Sequence, residues 1–159
     1  YRGPTDDELR AAGVRAVFLG MFFAWDPQQT FEVARQHGFE ADVSPRTGAY
    51  AYADIDDDFI SIHHWLKWYK FGFTRVWDNL SLEIRNGRLT RDRAIELTRE
   101  LGDQTPYDDI AAFCGYVGID EARFFEIAET FRNHDIWTER DGVWSVKGFL
   151  IPDWPWESR

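Results

Sequence analysis

His63, Lys67 and Lys70 recur at steps of four and three residues. A short distance on, Arg75, Asn79, Glu83 and Asn86 repeat that spacing, with Asp78 and Arg85 at the edge of the set and Arg88 just beyond it. At about 100° per residue on a helix, the first group forms a narrow cationic stripe and the second a polar face. Val76, Trp77, Leu80 and Ile84 fall on the opposite arc. Arginine grips phosphate or carboxylate with two parallel N–H donors, lysine adds a point charge, and amide and carboxylate groups read hydroxyls. Such a collection suits a polar, anionic ligand if another element covers it. Left uncovered, it is an amphipathic surface helix with mixed-sign pairs. Both readings stand at the level of pattern, although two asparagines are poor choices for a solvated helix face.

Other candidates are weaker. Adjacent His63 and His64 point about 100° apart on a helix, which argues against a shared metal. The run Asp54, Asp56, Asp57 and Asp58 has the chemistry for Mg2+ beside phosphates, but Asp57 or Asp58 equally suits a cap for the next helix. Arg46, Thr47 and Gly48 in "SPRTGAY" offer a short loop clasp. Cys114, spaced four residues from Ile110 and close to Phe113 and Val117, reads as core and not as a nucleophile. No P-loop, dinucleotide-binding or serine-hydrolase signature is present.

The elements that must position these groups are mostly helices. Thr5 and Glu8 make a capping box for a short helix to about Ala12. "RAVFLGMFF" is a continuous apolar run and predicts a buried strand over Val17–Phe23. Asp26 and Pro27 open a helix that Gly38 ends. One such strand–helix unit cannot make a sheet, so its partner strands would come from upstream. Further helices are expected over Phe59–Phe71, Thr74–Asn86, Arg91–Leu101, Pro106–Val117 and Glu121–Arg132, with Thr90, Thr105 and Asp120 as ready caps for the last three. Alternation around Arg140-Asp141-Gly142 predicts a hairpin, and "PDWPWESR" a loop.

Composition narrows the function classes. A chain of 159 residues is about one domain. The first residue is Tyr1, which suggests a fragment whose native start lies upstream. With 28 acids against 18 Lys and Arg, the net charge is −10, which repels nucleic acid and anionic lipid. No apolar run approaches the roughly 20 residues of a membrane span. A single cysteine excludes an internal disulfide and multi-cysteine zinc sites, and fits a reducing cytoplasm. Aromatics at 17%, eight tryptophans among them, demand a large packed core or a flat ligand.

Three segments in this order resemble a known family: "VFLGMFFAWDPQQTFEVARQHGF", "YADIDDDFISIHHWLKWYKFGFTR" and "DNLSLEIRNGRLTRDRAIEL". They are similar to the C-terminal half of the N-acetyl sugar amidotransferases, PP-loop ATP pyrophosphatases of surface-polysaccharide and nonulosonic-acid pathways. The resemblance covers Val17 to Leu101 well and Phe124–Trp144 more loosely, and "EIRNGRLTR" is its most specific stretch. It implies a mostly α fold with a small α/β element: the C-terminal helical region of a PP-loop, Rossmann-like enzyme, with one or two strands near the N-terminus and a C-terminal hairpin. Residues 1–55 would end the ATP-pyrophosphatase-type domain, 56–135 would form a helical substrate-facing region, and 136–159 the hairpin and tail.

The implied reaction converts a sugar acetamido group to an acetamidino group. ATP adenylates the amide oxygen, and ammonia from a separate glutaminase subunit displaces AMP. ATP and Mg2+ would serve the full-length enzyme. The family's S-G-G-x-D-S pyrophosphate loop is absent from this chain, so the chain alone is expected to bind neither and to be inactive. The implied substrate is an anionic or nucleotide-linked sugar. His63, Lys67, Lys70, Arg75, Asp78, Asn79, Glu83, Arg85, Asn86 and Arg88 would face it in a cytoplasmic enzyme, with a homo-oligomer compatible with this reading and no nucleic-acid partner expected. The competing class is a non-catalytic helical docking or oligomerisation module whose aromatics serve an interface. Another PP-loop use, such as tRNA modification, fits the acidic balance poorly.

Overall fold

Helix α3, Ile60–Phe71, is apolar nearly all round because it is packed from two sides. A computed structural model describes residues 3–101 and 105–156. On one side of α3, Ile62, Trp65 and Tyr69 join Ile110 and Cys114 of α6 (Tyr107–Val117) and Phe124 and Ala128 of α7 (Glu121–Glu129) in one core cluster. On the other side, Trp68 packs on Trp137, Ile151 and Trp154 from the C-terminal hairpin and tail. Each such side chain contributes roughly 1.5–3 kcal/mol by leaving water. This second cluster explains the tryptophan-rich composition: Trp68, Trp77, Trp137, Trp144, Trp154 and Trp156 all meet there. A third cluster joins Val76 and Leu80 of α4 (Arg75–Arg85) to Ala94 of α5 (Arg91–Leu101).

Local chemistry sets most element ends. Thr5 and Glu8 close the expected capping box on α1, Asp6–Ala11. Asp26 caps α2, Pro27–Gln36, by accepting from Gln28 N–H at 3.0 Å. Gly72 ends α3 in the left-handed region at φ 71°, where a Cβ would be strained. Asp57 accepts from Phe59 N–H at 2.8 Å just ahead of α3. Thr90 and Asp120 accept from Arg93 and Arg123 N–H, as their positions predict. Thr105 does not cap α6: Pro106 takes the cap position, and no side chain bonds there.

The hairpin pairs β1, Trp137–Arg140, with β2, Val143–Val146, in antiparallel register Arg140↔Val143. Asp141 and Gly142 both adopt positive φ, 53° and 79°, as a tight two-residue turn with right-handed strand twist requires. Buried Arg132 ties this hairpin to the helices. Its guanidinium lies 4.5 to 4.8 Å from the ring centres of Tyr69, Trp137 and Trp144, and it pairs with Glu129.

The N-terminal strand is a correction. Val17–Phe23 is coil with one 3-10 turn, Leu19–Met21, and its side chains lie exposed, Phe18 at 83% and Met21 at 76%. A lone strand leaves a row of N–H and C=O groups unpaired. The only sheet among the described residues is the C-terminal hairpin, so nothing here pairs with this segment. No helix among the described residues is long and apolar enough to cross a membrane.

Candidate functional site

The polar face of α4 is covered. Over it lies the loop from Asp42 to Asp54, which bonds to the helix through Ala49, Tyr50 and Asp54. Asn79, only 2% exposed, accepts from Ala49 N–H at 2.9 Å through Oδ1. Gly48 makes this approach possible: at its φ of 72° a Cβ would lie 2.2 Å from Asn79 Oδ1. Arg75 holds Asp54 through two nitrogens, at 3.0 and 3.3 Å. The Tyr50 hydroxyl donates to Glu83 Oε1 at 2.5 Å.

Beyond Glu83 the chain of charges continues. Arg88 donates to both Glu83 oxygens at 2.6 and 2.8 Å, and to Asp26 Oδ2 at 2.8 Å. One arginine thus joins the end of the α4 segment to the start of α2. Its hydrogen bonds hold the carboxyls of Glu83 and Asp26 below their ordinary values, and push its own value further up. Burial raises the phenols of Tyr50 and Tyr52, so both stay protonated at neutral pH.

Between this wall and α2 lies a cavity of about 500 Å3, within the range of roughly 300–1,000 Å3 usual for small-molecule sites. Arg75 and Asn79 line one side, and Trp25, Phe31, Tyr50 and Tyr52 the other. Phe31, Tyr52 and Tyr50 form a continuous stack, with centroids 4.3 and 5.0 Å apart and rings nearly parallel. The stack locks the loop to α2. The cavity offers mainly apolar walls and a few fixed polar groups, the usual make-up of a small-molecule site.

The residues singled out by spacing separate into groups. Arg75, Asn79 and Glu83 stand on the covered wall, and exposed Arg88 pairs with Glu83 just beyond it. Lys67 turns to Asp78 and also lies 4.8 Å from the Phe73 ring centre. Exposed His63 and Lys70 are not part of that wall, and Lys70 sits over Phe131 instead. Arg85 is exposed and bonds back to Ser81 O at 3.4 Å, while Asn86 Nδ2 is buried without a partner. Pattern reading gave no role to Trp25, Phe31, Tyr50 and Tyr52. The alternating "YAYAD" just before the acidic run was the available signal. Of that run, Asp54 is taken by Arg75, Asp57 by Phe59 N–H and Asp58 by Arg46. Among the described residues no group of three or more His, Cys, Asp or Glu is arranged to hold a metal. Cys114 is buried in the core, and burial pushes its thiol up, away from nucleophilic character.

A search of curated proteins finds no match. One protein family does match, described as LPS biosynthesis protein WbpG-like, C-terminal domain, over residues 44–149. That span holds the covering loop from residue 44 onward, all of α3 to α7 and the hairpin, and it agrees with the resemblance carried by "EIRNGRLTR". The chain therefore belongs to the WbpG-like C-terminal domain family, and its role lies in lipopolysaccharide biosynthesis.

Proposed function

We propose that this chain is the acceptor-facing part of an N-acetyl sugar amidotransferase, converting a sugar acetamido group to acetamidino with ATP and ammonia. The observation that carries the reading is the cavity between the α4 wall and α2, because it joins aromatic walls to arginine and amide groups on the stretch that matches the family. In that reaction ATP transfers AMP to the amide oxygen and releases pyrophosphate. Ammonia then adds to the activated carbon, and AMP leaves with the former amide oxygen. The task of this chain is to hold the sugar: Arg75 and Asn79 are fixed in place by Asp54 and by Ala49 N–H, so they meet hydroxyls without reorganising.

ATP and Mg2+ do not fit the residues described here. The acids at 54, 57 and 58 are already bonded to protein groups, and the sequence has no phosphate-binding loop. Adenylation is therefore assigned to no residue of this chain. Ammonia would come from a glutaminase partner, and the substrate would be a nucleotide-linked sugar. Both that sugar and ATP are cytoplasmic compounds, which favours a cytoplasmic enzyme.

A second reading, a non-catalytic helical module for docking or oligomerisation, is favoured by the exposed apolar run from Phe18 to Trp25. Substitution in the cavity separates the two. Ala34 lines it from α2 and holds no ion pair, so Ala34→Trp fills space without removing a bond. In the enzyme containing this chain, sugar-dependent AMP release should show KM for the sugar raised at least about tenfold, an energy of ~1.4 kcal/mol. Unchanged sugar kinetics in a folded Ala34→Trp enzyme would favour the docking module.

A further inference from the structure

The aromatic cavity is shared between two parts of the chain. Half of its lining residues fall within 25–39 and the other half within 50–82. Few contacts hold those parts together. Among the described residues, Asp26–Arg88 is the one hydrogen bond or ion pair that joins residues 3–41 to the rest of the chain. Phe31–Tyr52 is likewise the one aromatic contact across the divide, with rings 4.3 Å apart and 7° from parallel. None of the three core clusters takes a residue from 3–41, and no other described helix or strand packs on α2. A surface ion pair and a ring stack each change an equilibrium by a factor of about two to ten. That is weak enough for thermal opening.

The covalent link between the two parts is short. Phe39 belongs with α2: its N–H donates to Ala34 O at 3.1 Å, and its ring meets Phe31 edge-on at 6.2 Å. Asp42 belongs with the covering loop, its N–H donating to Ala51 O at 2.9 Å. Glu40 and Ala41, between them, are exposed and lie outside any helix or strand. Rotation about these two residues moves α2 while both flanking bonds stay made. On the other side of α2, residues 14–24 are exposed and bond only locally, so nothing described there resists the movement. The matched family span opens at residue 44, just beyond the Asp42 anchor, and leaves α2 outside it.

We propose that residues 25–39 are a lid over the aromatic cavity, hinged at Glu40–Ala41 and latched by Asp26–Arg88 and Phe31–Tyr52. Opening parts the two halves of the lining and bares the Tyr52 ring; closing restores the enclosed space. Arg88 keeps Glu83 in both states, through Nε and its second terminal nitrogen, so the fixed side of the latch holds its geometry. That the lid admits a sugar rests on the reading above. The movement itself follows from how the chain is tied together.

The test measures the position of the lid in the full chain, without ligand. Nitroxide labels are placed on Val33→Cys of α2 and Asp92→Cys of α5, both exposed positions, while Cys114 lies shielded in the core. Distances between the labels are read by pulsed electron resonance. Asp26→Ser removes the carboxylate from Arg88 and keeps a helix-capping oxygen. Phe31→Leu removes the stack and keeps an apolar side chain. The expected result is two distances, the longer gaining about fivefold in population over the shorter in either variant. High salt should move the parent the same way and leave Asp26→Ser unmoved. One short distance in the parent and in both variants overturns the proposal, α2 then being fixed to the wall. Near-ultraviolet dichroism of the tryptophans around Trp68 reports whether the body stays folded. A longer distance found only where that signal is lost also overturns the proposal. Sugar kinetics of the enzyme are scored separately, so a fixed lid and a failed amidotransferase reading give different results.

Discussion

Arg75 on α4 grips Asp54 at the end of the covering loop, Nε to Oδ2 at 3.0 Å and a terminal nitrogen to Oδ1 at 3.3 Å, across 21 residues of chain. The contact is half-buried, and Arg75 lines the aromatic cavity. Arg75→Ala should cost about 1 kcal/mol, and lower Tm by about 2–4 °C for a chain of this size. Hydrogen exchange should rise in the loop over residues 49–54 more than in α4 itself. Arg75→Lys should restore little of the loss, because an ammonium cannot make the two-pronged contact. Equal exchange in the loop before and after substitution would mean that Asp54 does not hold it.

Gly48 supports the same loop through geometry alone. Its φ of 72° and the 2.2 Å gap to Asn79 Oδ1 leave no room for a methyl group. Gly48→Ala should destabilise by about 2 kcal/mol or more, through left-handed strain together with the lost Ala49–Asn79 bond. Chemical denaturation checks this. A neighbouring glycine with positive φ and open space around it, Gly38, gives the control, because Gly38→Ala carries the strain without the collision.

The Glu83–Arg88–Asp26 cluster gives stability a defined pH dependence. Both carboxyls lie below their ordinary values of 4.5 and 3.8 in the folded chain. The unfolded chain therefore binds more protons in the acid range, and the contribution is complete above about 4.5 and fades as pH falls through the depressed values. Arg88→Gln should lower stability most at neutral pH, and the gap to the parent should close in acid. His64 acts in a different window. Burial lowers it from 6.5, with Asp54, Arg75, His63 and Lys67 as the charges facing it, so its contribution declines directly below 6.5. Urea midpoints across the acid range, for the parent, Arg88→Gln and His64→Gln, separate the two.

Helix positions, most caps and the hairpin were readable in the sequence because their causes are local. Asp26-Pro27, Gly72 and Asp141-Gly142 act within one turn of chain, and period alone placed Val76 and Leu80 in the core. The covering of the α4 face was not readable, because it depends on partners far along the chain: Asp54 for Arg75, Asp26 for Arg88, 62 residues away. A helical wheel shows that Arg75, Asn79 and Glu83 share a side, but not what lies over it. "RAVFLGMFF" misled for the opposite reason. Its apolar run fits a buried strand, but a strand also needs a neighbour, and none of the described residues pairs with it.

The most direct measurement follows nitrogen. The enzyme containing this chain, given ATP, Mg2+, isotopically labelled ammonia and a nucleotide-linked N-acetyl sugar, should place one labelled nitrogen in the sugar for each AMP formed, as read by mass spectrometry of the product. Filling the aromatic cavity with Ala34→Trp should raise the sugar concentration needed for that incorporation and leave the pairing of AMP with labelled nitrogen intact. A sugar that recovers no label while ATP is consumed, or label transfer indifferent to the filled cavity, would contradict the assignment of this chain to the acceptor side of an amidotransferase.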